Sequence, residues 1–205
     1  MAIIPQKQLT LADIFDDCQK MYENDKPTFL TLLETHINLD EIVPSSFALH
    51  FHASTGRPRK YTLYSMLWAL IIQRIFSIPT DSLLINFLHY SAELRSFCGF
   101  NKVPGASKFT RFKQDFQADL QMVFDRLVDL TEPICQEISY KIRTTVERSI
   151  NHFKSSFILA GRKTQNELTT HSDLLLSGIT QLITVLLANA IKHPELLRSV
   201  KSIIA

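Results

Sequence analysis

Residues 107–130, SKFTRFKQDFQADLQMVFDRLVDL, decide the fold class of this 205-residue chain. Large apolar side chains recur there every three or four residues, which is the spacing of one face of an α-helix. They are Phe109, Phe112, Phe116, Leu120, Val123 and Leu127. Ser107 is a suitable N-cap residue, and the opposite face starts with Lys108, Arg111 and Lys113. The pattern predicts one long amphipathic helix from Ser107 to Leu130, with Pro133 as the next break.

The rest of the chain carries helical patterns on both sides of this stretch. Thr80 is placed to cap one helix, while Pro44, residues 54–58 and Gly99 mark loops or breaks. The further helices that we expect cover residues 11–22, 28–36, 62–76, 80–90, 92–98, 139–159 and 174–191. No stretch alternates polar and apolar residues as a half-buried strand does. The sequence therefore predicts an all-α fold.

The last predicted helix is apolar enough to be mistaken for a membrane span. Residues 174–191 contain 18 residues without a charge, which is the lower limit for crossing a bilayer. However, Ser177, Gln181, Thr184 and Ala188 recur every three to four residues and place a small or polar stripe on one face. A lipid-facing helix has no use for such a stripe. We expect a buried or partner-packed helix and no membrane association.

Charge is distributed unevenly along the chain, although the net charge is only +2. Residues 11–43 contain eight acids and two bases, whereas residues 56–113 contain nine bases and two acids. A second basic block, residues 140–163, contains six bases and one acid. Two basic blocks beside an acidic segment are compatible with a polyanionic partner. The alternative is a set of ordinary solvated helix faces.

Cysteine and histidine usage gives no sign of a metal site. Cys18, Cys98 and Cys135 are far apart and form no CxxC pair, as expected in a reducing cytoplasm. His50 and His52 have the spacing of a metal-binding pair, but no further ligand is recognisable nearby. We expect a cytoplasmic protein in which these histidines lie in a loop or are partly buried.

The region between residues 80 and 117 has the organisation of a helix-turn-helix. Two short helices precede a basic helix. In a helix-turn-helix, the start of the second helix enters the major groove of DNA. Lys and Arg then contact phosphates and base edges. Many small helical domains also contain a basic helix, so this pattern alone does not decide the function.

Three stretches together resemble the N-terminal domain of bacterial insertion-sequence transposases of the InsH-like type. They are GRPRKY (56–61), LHYSAELRSFCGF (88–100) and SKFTRFKQDF (107–116), with the apolar helix between the first two. The resemblance covers residues 44–138. It implies a helical domain that binds the double-stranded DNA of transposon ends. It also implies a role in DNA binding for Arg57, Lys108, Arg111 and Lys113.

A second resemblance lies in residues 140–154, YKIRTTVERSINHFK. The spacing Tyr-x2-Arg-x3-Glu-x6-Lys is similar to the C-terminal signature of a large group of DDE transposases, and on a helix it places all four side chains along one stripe. The resemblance implies that Glu147 is the third catalytic acid and a metal ligand. The residues implied to contact DNA are Tyr140, Arg143, Arg148 and Lys154.

The segment that should carry the other two catalytic acids is missing. DDE transposases use two Mg²⁺ ions held by three carboxylates, two of them on strands of an RNase H-like sheet. Here residues 131–139, TEPICQEIS, run almost directly into the second resemblance, and a sheet of that kind needs roughly 100 residues. We therefore expect an internally deleted transposase without functional Mg²⁺. Residues 1–138 would form its DNA-binding domain, and residues 139–205 would be the remnant of its catalytic domain.

Several functions are compatible with these patterns. A DNA-binding transposase remnant without cleavage or strand transfer activity explains both resemblances, and it could associate with itself or with an intact transposase. A helix-turn-helix transcriptional regulator would explain the basic helix but not the pattern in residues 140–154. The sequence is also compatible with a protein-binding or membrane-associated helix, and with a fragment that has no function.

Overall fold

The computed structural model describes residues 28–52, 59–138 and 167–193, with side chains up to residue 134 in the second range. These residues form helices and contain no strand, which confirms the all-α prediction for this part of the chain. In chain order the helices are α1 (Thr28–His36), α2 (Leu39–Ile42), α3 (Ser45–Phe51), α4 (Leu63–Ile75), α5 (Asp81–Tyr90), α6 (Ala92–Phe97), α7 (Ala106–Asp115), α8 (Gln117–Ile138) and α9 (Glu167–Ala190). The predicted helices over 11–22 and 139–159 lie outside the described residues.

The apolar helix α4 lies in the core. The Thr62 side chain accepts a hydrogen bond from the Ser65 amide at 3.1 Å and so caps the helix, as such residues do at N-termini. Nearly every residue of α4 is buried, including Gln73 and Arg74 near its end. A helix that is apolar on all sides must be surrounded by others, which is why α4 was predictable from its sequence.

The predicted long helix over 107–130 is in fact two helices. The N-cap of α7 is Gly105 and not the predicted Ser107, so the helix starts two residues earlier than expected. Phe116 leaves the helical conformation, with φ −117° and ψ 26°, and α8 begins immediately after it. Pro133 lies inside α8 and does not end it, so this part of the prediction was also wrong.

Phe116, where the helix is interrupted, belongs to an aromatic cluster. Its ring centroid lies 5.5 Å from that of Phe47, 5.4 Å from Phe51 and 5.2 Å from Phe112. Phe47 and Phe51 belong to α3, which the sequence did not predict because a proline such as Pro44 indicates a loop. Pro44 instead precedes the first residue of α3, where its fixed φ is compatible with a helix start.

Helix α9 packs into the same core as the preceding helices. Leu176, Ile179 and Ile183 are at most 1% exposed and belong to one hydrophobic cluster with the side chains of α4. By length and composition α9 could cross a membrane, but 61% of its most apolar window is buried against the other described helices. This agrees with the prediction of a buried helix.

Three buried hydroxyls of α9 are satisfied within the helix. The hydroxyls of Ser177, Thr180 and Thr184 each donate to the carbonyl four residues earlier, at 2.8 to 2.9 Å. Such bonds remove the cost of burying a hydroxyl in an apolar core. The polar stripe noted in the sequence is therefore compatible with a core helix.

Candidate nucleic-acid interface

Helix α7 has one face in the core and one face in solvent. Phe109 and Phe112 are buried at 0% and 4% exposure, while Lys108 and Arg111 are exposed. Neither cation has an ion-pair partner among the described residues. Two cations on the exposed side of a firmly packed helix, without an ion-pair partner in the described part of the chain, are available to contact an anionic ligand.

Lys113 occupies a different environment from the other two cations of α7. Its side chain is 2% exposed, and its ammonium lies 2.9 Å from a carboxylate oxygen of Asp81 on α5. The same ammonium lies 3.3 Å from the Asp173 carboxylate on α9, which also contacts the Arg74 guanidinium. Lys113 therefore belongs to a buried four-charge cluster, and its ammonium has no access to a DNA phosphate in this structure.

Helix α9 holds the C-terminal half of α7 in place by further polar contacts. The Ser172 hydroxyl donates to the Lys113 carbonyl at 2.5 Å, and the Gln114 amide donates to the Thr169 hydroxyl at 3.3 Å. Gln73 of α4 donates to Asp81 at 3.1 Å and joins the charged cluster to the central helix. The orientation of α7 is thus set by α4, α5 and α9 together.

The two short helices before α7 begin and end at well-defined residues. Thr80 and Ser91 accept hydrogen bonds from the amides of Leu83 and Leu94, both at 3.2 Å, and so cap α5 and α6. Gly99, with φ +71°, follows α6 in the left-handed conformation that glycine adopts most easily. These features confirm the predicted helix starts and the break at Gly99.

The segment from residue 94 to residue 114 contains five bases and no acid. Lys113 is used in the core, and Arg95 is half-buried and donates to the carbonyl of His89 at 3.3 Å at the end of α5. Lys102, Lys108 and Arg111 remain exposed. We refer to these three exposed cations as the basic face of the candidate interface, and Lys102 was not among the residues selected from the sequence.

A second basic element that sequence analysis missed lies at the end of α7. The Arg59 guanidinium is 4.8 Å from the ring centroids of both Phe51 and Phe116. The Arg59 Nε donates to the Phe51 carbonyl at 2.8 Å. No sequence signal pointed to this contact, because α3 and the interruption at Phe116 were not predicted.

The other predicted site residues lie outside the described part of the chain. They are Arg57, Tyr140, Arg143, Glu147, Arg148 and Lys154. Within the described residues, no group of three or more His, Cys, Asp or Glu side chains could hold a metal ion. His50 instead pairs with the Asp119 carboxylate at 2.8 Å.

Comparison with known proteins adds one finding to this geometry. Residues 17–115, just under half of the chain, match the family model described as Transposase domain (DUF772). No curated protein and no solved structure matches the chain. The matched stretch includes α1 to α7 and therefore the whole basic face. The match supports a relationship to a transposase family, whereas the InsH-like type, the DDE signature and the internal deletion stay predictions.

Proposed function

We propose that this chain is a transposition-related DNA-binding protein whose basic face, Lys102, Lys108 and Arg111, contacts the DNA of transposon ends. The observation that carries the proposal is the asymmetry of α7. One side is fixed in the core by aromatic packing and a buried ion cluster, and the other presents exposed cations that have no ion pair with any described residue. The transposase-domain match over the same residues supports DNA as the polyanion.

Helix α7 has the dimensions and chemistry for a DNA contact. Its 10 residues span about 15 Å, and an α-helix fits the major groove of B-DNA. Exposed Lys and Arg side chains bind phosphates, and Arg also binds guanine edges in a bidentate manner. A helix held rigidly by its neighbours loses little conformational entropy on binding, which favours affinity.

We further propose that the chain neither cleaves DNA nor transfers strands. The reaction of the resembled transposases requires three carboxylates around two Mg²⁺ ions, and a single acid on one helix does not form such a site. Glu147 is the one candidate acid that the resemblance supplies. The chain would then act by occupying transposon ends.

Fluorescence anisotropy tests the proposal directly. The full chain is titrated into a duplex carrying the DNA that flanks its gene, beside a scrambled duplex, at several salt concentrations. We expect tighter binding to the flanking duplex and a steep loss of affinity with salt. Equal weak binding to both duplexes would instead leave a transposase-derived fragment without a specific DNA site.

Matched variants locate the interface. Arg111→Ala removes an exposed cation from α7, and Arg126→Ala removes an exposed cation from α8. Loss of one phosphate contact lowers the slope of log affinity against log salt by roughly 0.9, so we expect this change for Arg111→Ala only. Equal effects of the two variants would show that α7 is not the contact surface. Mg²⁺-dependent nicking that Glu147→Ala abolishes would contradict the absence of cleavage.

A further inference from the structure

Three contacts hold the exposed side chain of Arg59 in position. Its guanidinium lies 4.8 Å from the ring centroids of Phe51 and Phe116, a distance at which aromatic faces attract cations. The hydrogen bond from Nε to the Phe51 carbonyl, at 2.8 Å, fixes the rotation of the guanidinium plane. Both aromatic side chains are buried, so the guanidinium is supported by the rigid core.

Most of the hydrogen-bonding capacity of Arg59 remains unused. A guanidinium has five N–H donors, and the bond to Phe51 uses one of them. Arg59 is exposed and has no ion pair with a described carboxylate. The carboxylate of Asp119, three residues after Phe116, lies 2.8 Å from Nδ1 of His50. The remaining donors of Arg59 are therefore available to an external anion.

The position of Arg59 relative to α7 suggests which anion this is. Phe116, on which Arg59 is stacked, ends α7, and Lys108 lies eight residues earlier, about 12 Å along the axis at 1.5 Å per residue. Cations therefore lie near both ends of α7, and a DNA duplex presents backbone phosphates along its grooves to which such cations bind.

We propose that Arg59 is a preorganised phosphate-binding residue that contacts a backbone phosphodiester of the duplex bound by α7. This inference rests on the proposed function and assigns a second contact to the same DNA. Arg suits the role because its planar fork matches two phosphate oxygens, and because stacking has already removed much of its rotational freedom. A lysine at this position would retain the charge but lose both the fork and the bond to the Phe51 carbonyl.

Three variants test the assignment by anisotropy across a salt series. Arg59→Met keeps an apolar stem between the two rings and removes the charge, Arg59→Lys keeps the charge, and Arg126→Met is the control on α8. We expect Arg59→Met to bind roughly tenfold more weakly, since hydrogen bonds to charged groups contribute about that factor or more. Its salt slope should fall by roughly 0.9, whereas Arg59→Lys should bind more weakly with the slope retained. Arg126→Met should match the unchanged chain.

The outcomes separate this inference from the proposed function. If Arg59→Met binds as tightly as the unchanged chain while Arg111→Ala binds more weakly, the Arg59 site is wrong and the interface on α7 stands. If the unchanged chain does not bind DNA, both are wrong. Thermal unfolding of each variant shows whether the fold is retained. Should Arg59→Met melt several degrees lower, Arg59→Gln, which retains an amide donor for the Phe51 carbonyl, takes its place.

Discussion

The buried ion cluster makes Asp173 the most informative position for testing the packing of α9. Its side chain is 1% exposed and contacts Arg74 and Lys113, whose side chains are 1% and 2% exposed. The formal charges of these three residues and Asp81 cancel. Asp173→Asn keeps the size of the side chain but leaves the two buried cations facing one carboxylate fewer, so the cluster gains a net positive charge in a poorly solvated environment.

The expected loss of stability follows from the remaining contacts. Removing one partner of a buried ion pair costs about 3–5 kcal/mol, and the lower end applies here because Lys113 retains Asp81 at 2.9 Å. For a chain of this length, a loss of about 3 kcal/mol lowers the melting temperature by about 6–12 °C. Thermal unfolding followed by circular dichroism measures the shift. Asp125→Asn is the control, because Asp125 is exposed and accepts a hydrogen bond from Gln121, so its replacement should cost less than about 0.5 kcal/mol.

A double-mutant cycle identifies the cause of the loss. Combining Asp173→Asn with Lys113→Met removes one charge of each sign, so the pair should cost less than the sum of the single changes by at least about 1 kcal/mol. Equal melting temperatures for Asp173→Asn and Asp125→Asn would refute the placement of α9 against α7. Additive single changes would show that the two residues do not interact.

Individual contacts give three further predictions. Gly178→Ala should cost about 1–3 kcal/mol because the added Cβ would lie 2.6 Å from the Phe124 ring, and Phe124→Leu should recover part of the loss in thermal unfolding. Burial raises the pKa of the Cys98 thiol to about 12, so at pH 8 only about 1 in 10⁴ thiols is ionised. In a variant with Cys18 and Cys135 replaced by serine, the reaction of Cys98 with a thiol reagent should therefore be limited by the rate at which unfolding exposes the thiol. Thr80→Ala removes the cap on the Leu83 amide and should cost about 1 kcal/mol in denaturant unfolding.

The same raised pKa of Cys98 predicts the sign of a pH effect on stability. The folded state holds the thiol proton more tightly than the unfolded state, whose thiol ionises near its ordinary pKa of 9.0. Above that pH the unfolded state releases the proton first, so folding stability should fall between about pH 9 and pH 12. Cys98→Ala should remove this part of the fall in stability, and the part that remains is due to other titrating groups.

Local patterns predicted the helices whose boundaries depend on local chemistry. The apolar run over 62–76 predicted α4, and the Thr80 cap predicted α5, each within a residue or so of the observed bounds. Capping bonds connect residues three apart, so the sequence contains all the information that they need. The interruption at Phe116 was not predictable in this way, because Phe112, Phe116 and Leu120 keep helical spacing across it.

The basic face was only partly predictable for a related reason. Lys108, Arg111 and Lys113 look alike in sequence, as three cations at the start of an amphipathic helix. Lys113 differs from the other two in its ion-pair partners, Asp81 and Asp173, which lie 32 and 60 residues away along the chain. Contacts of that range depend on how α5 and α9 pack, which periodicity and composition do not encode. Arg59 was missed for the same reason, since its position depends on α3.

The ion cluster also bears on the organisation of the chain. Arg74, Asp81 and Lys113 lie within the stretch that matches the transposase domain, whereas Asp173 lies outside it, on α9. Without α9, the cluster would lose the Asp173 carboxylate, which contacts both Arg74 and Lys113. Helix α9 also contributes Leu176, Ile179 and Ile183 to the common core. We therefore expect α9 to stabilise the helix that carries the basic face, while the domain boundary after residue 138 stays a prediction. A variant that loosens α9 should then weaken DNA binding without changing any residue of the interface.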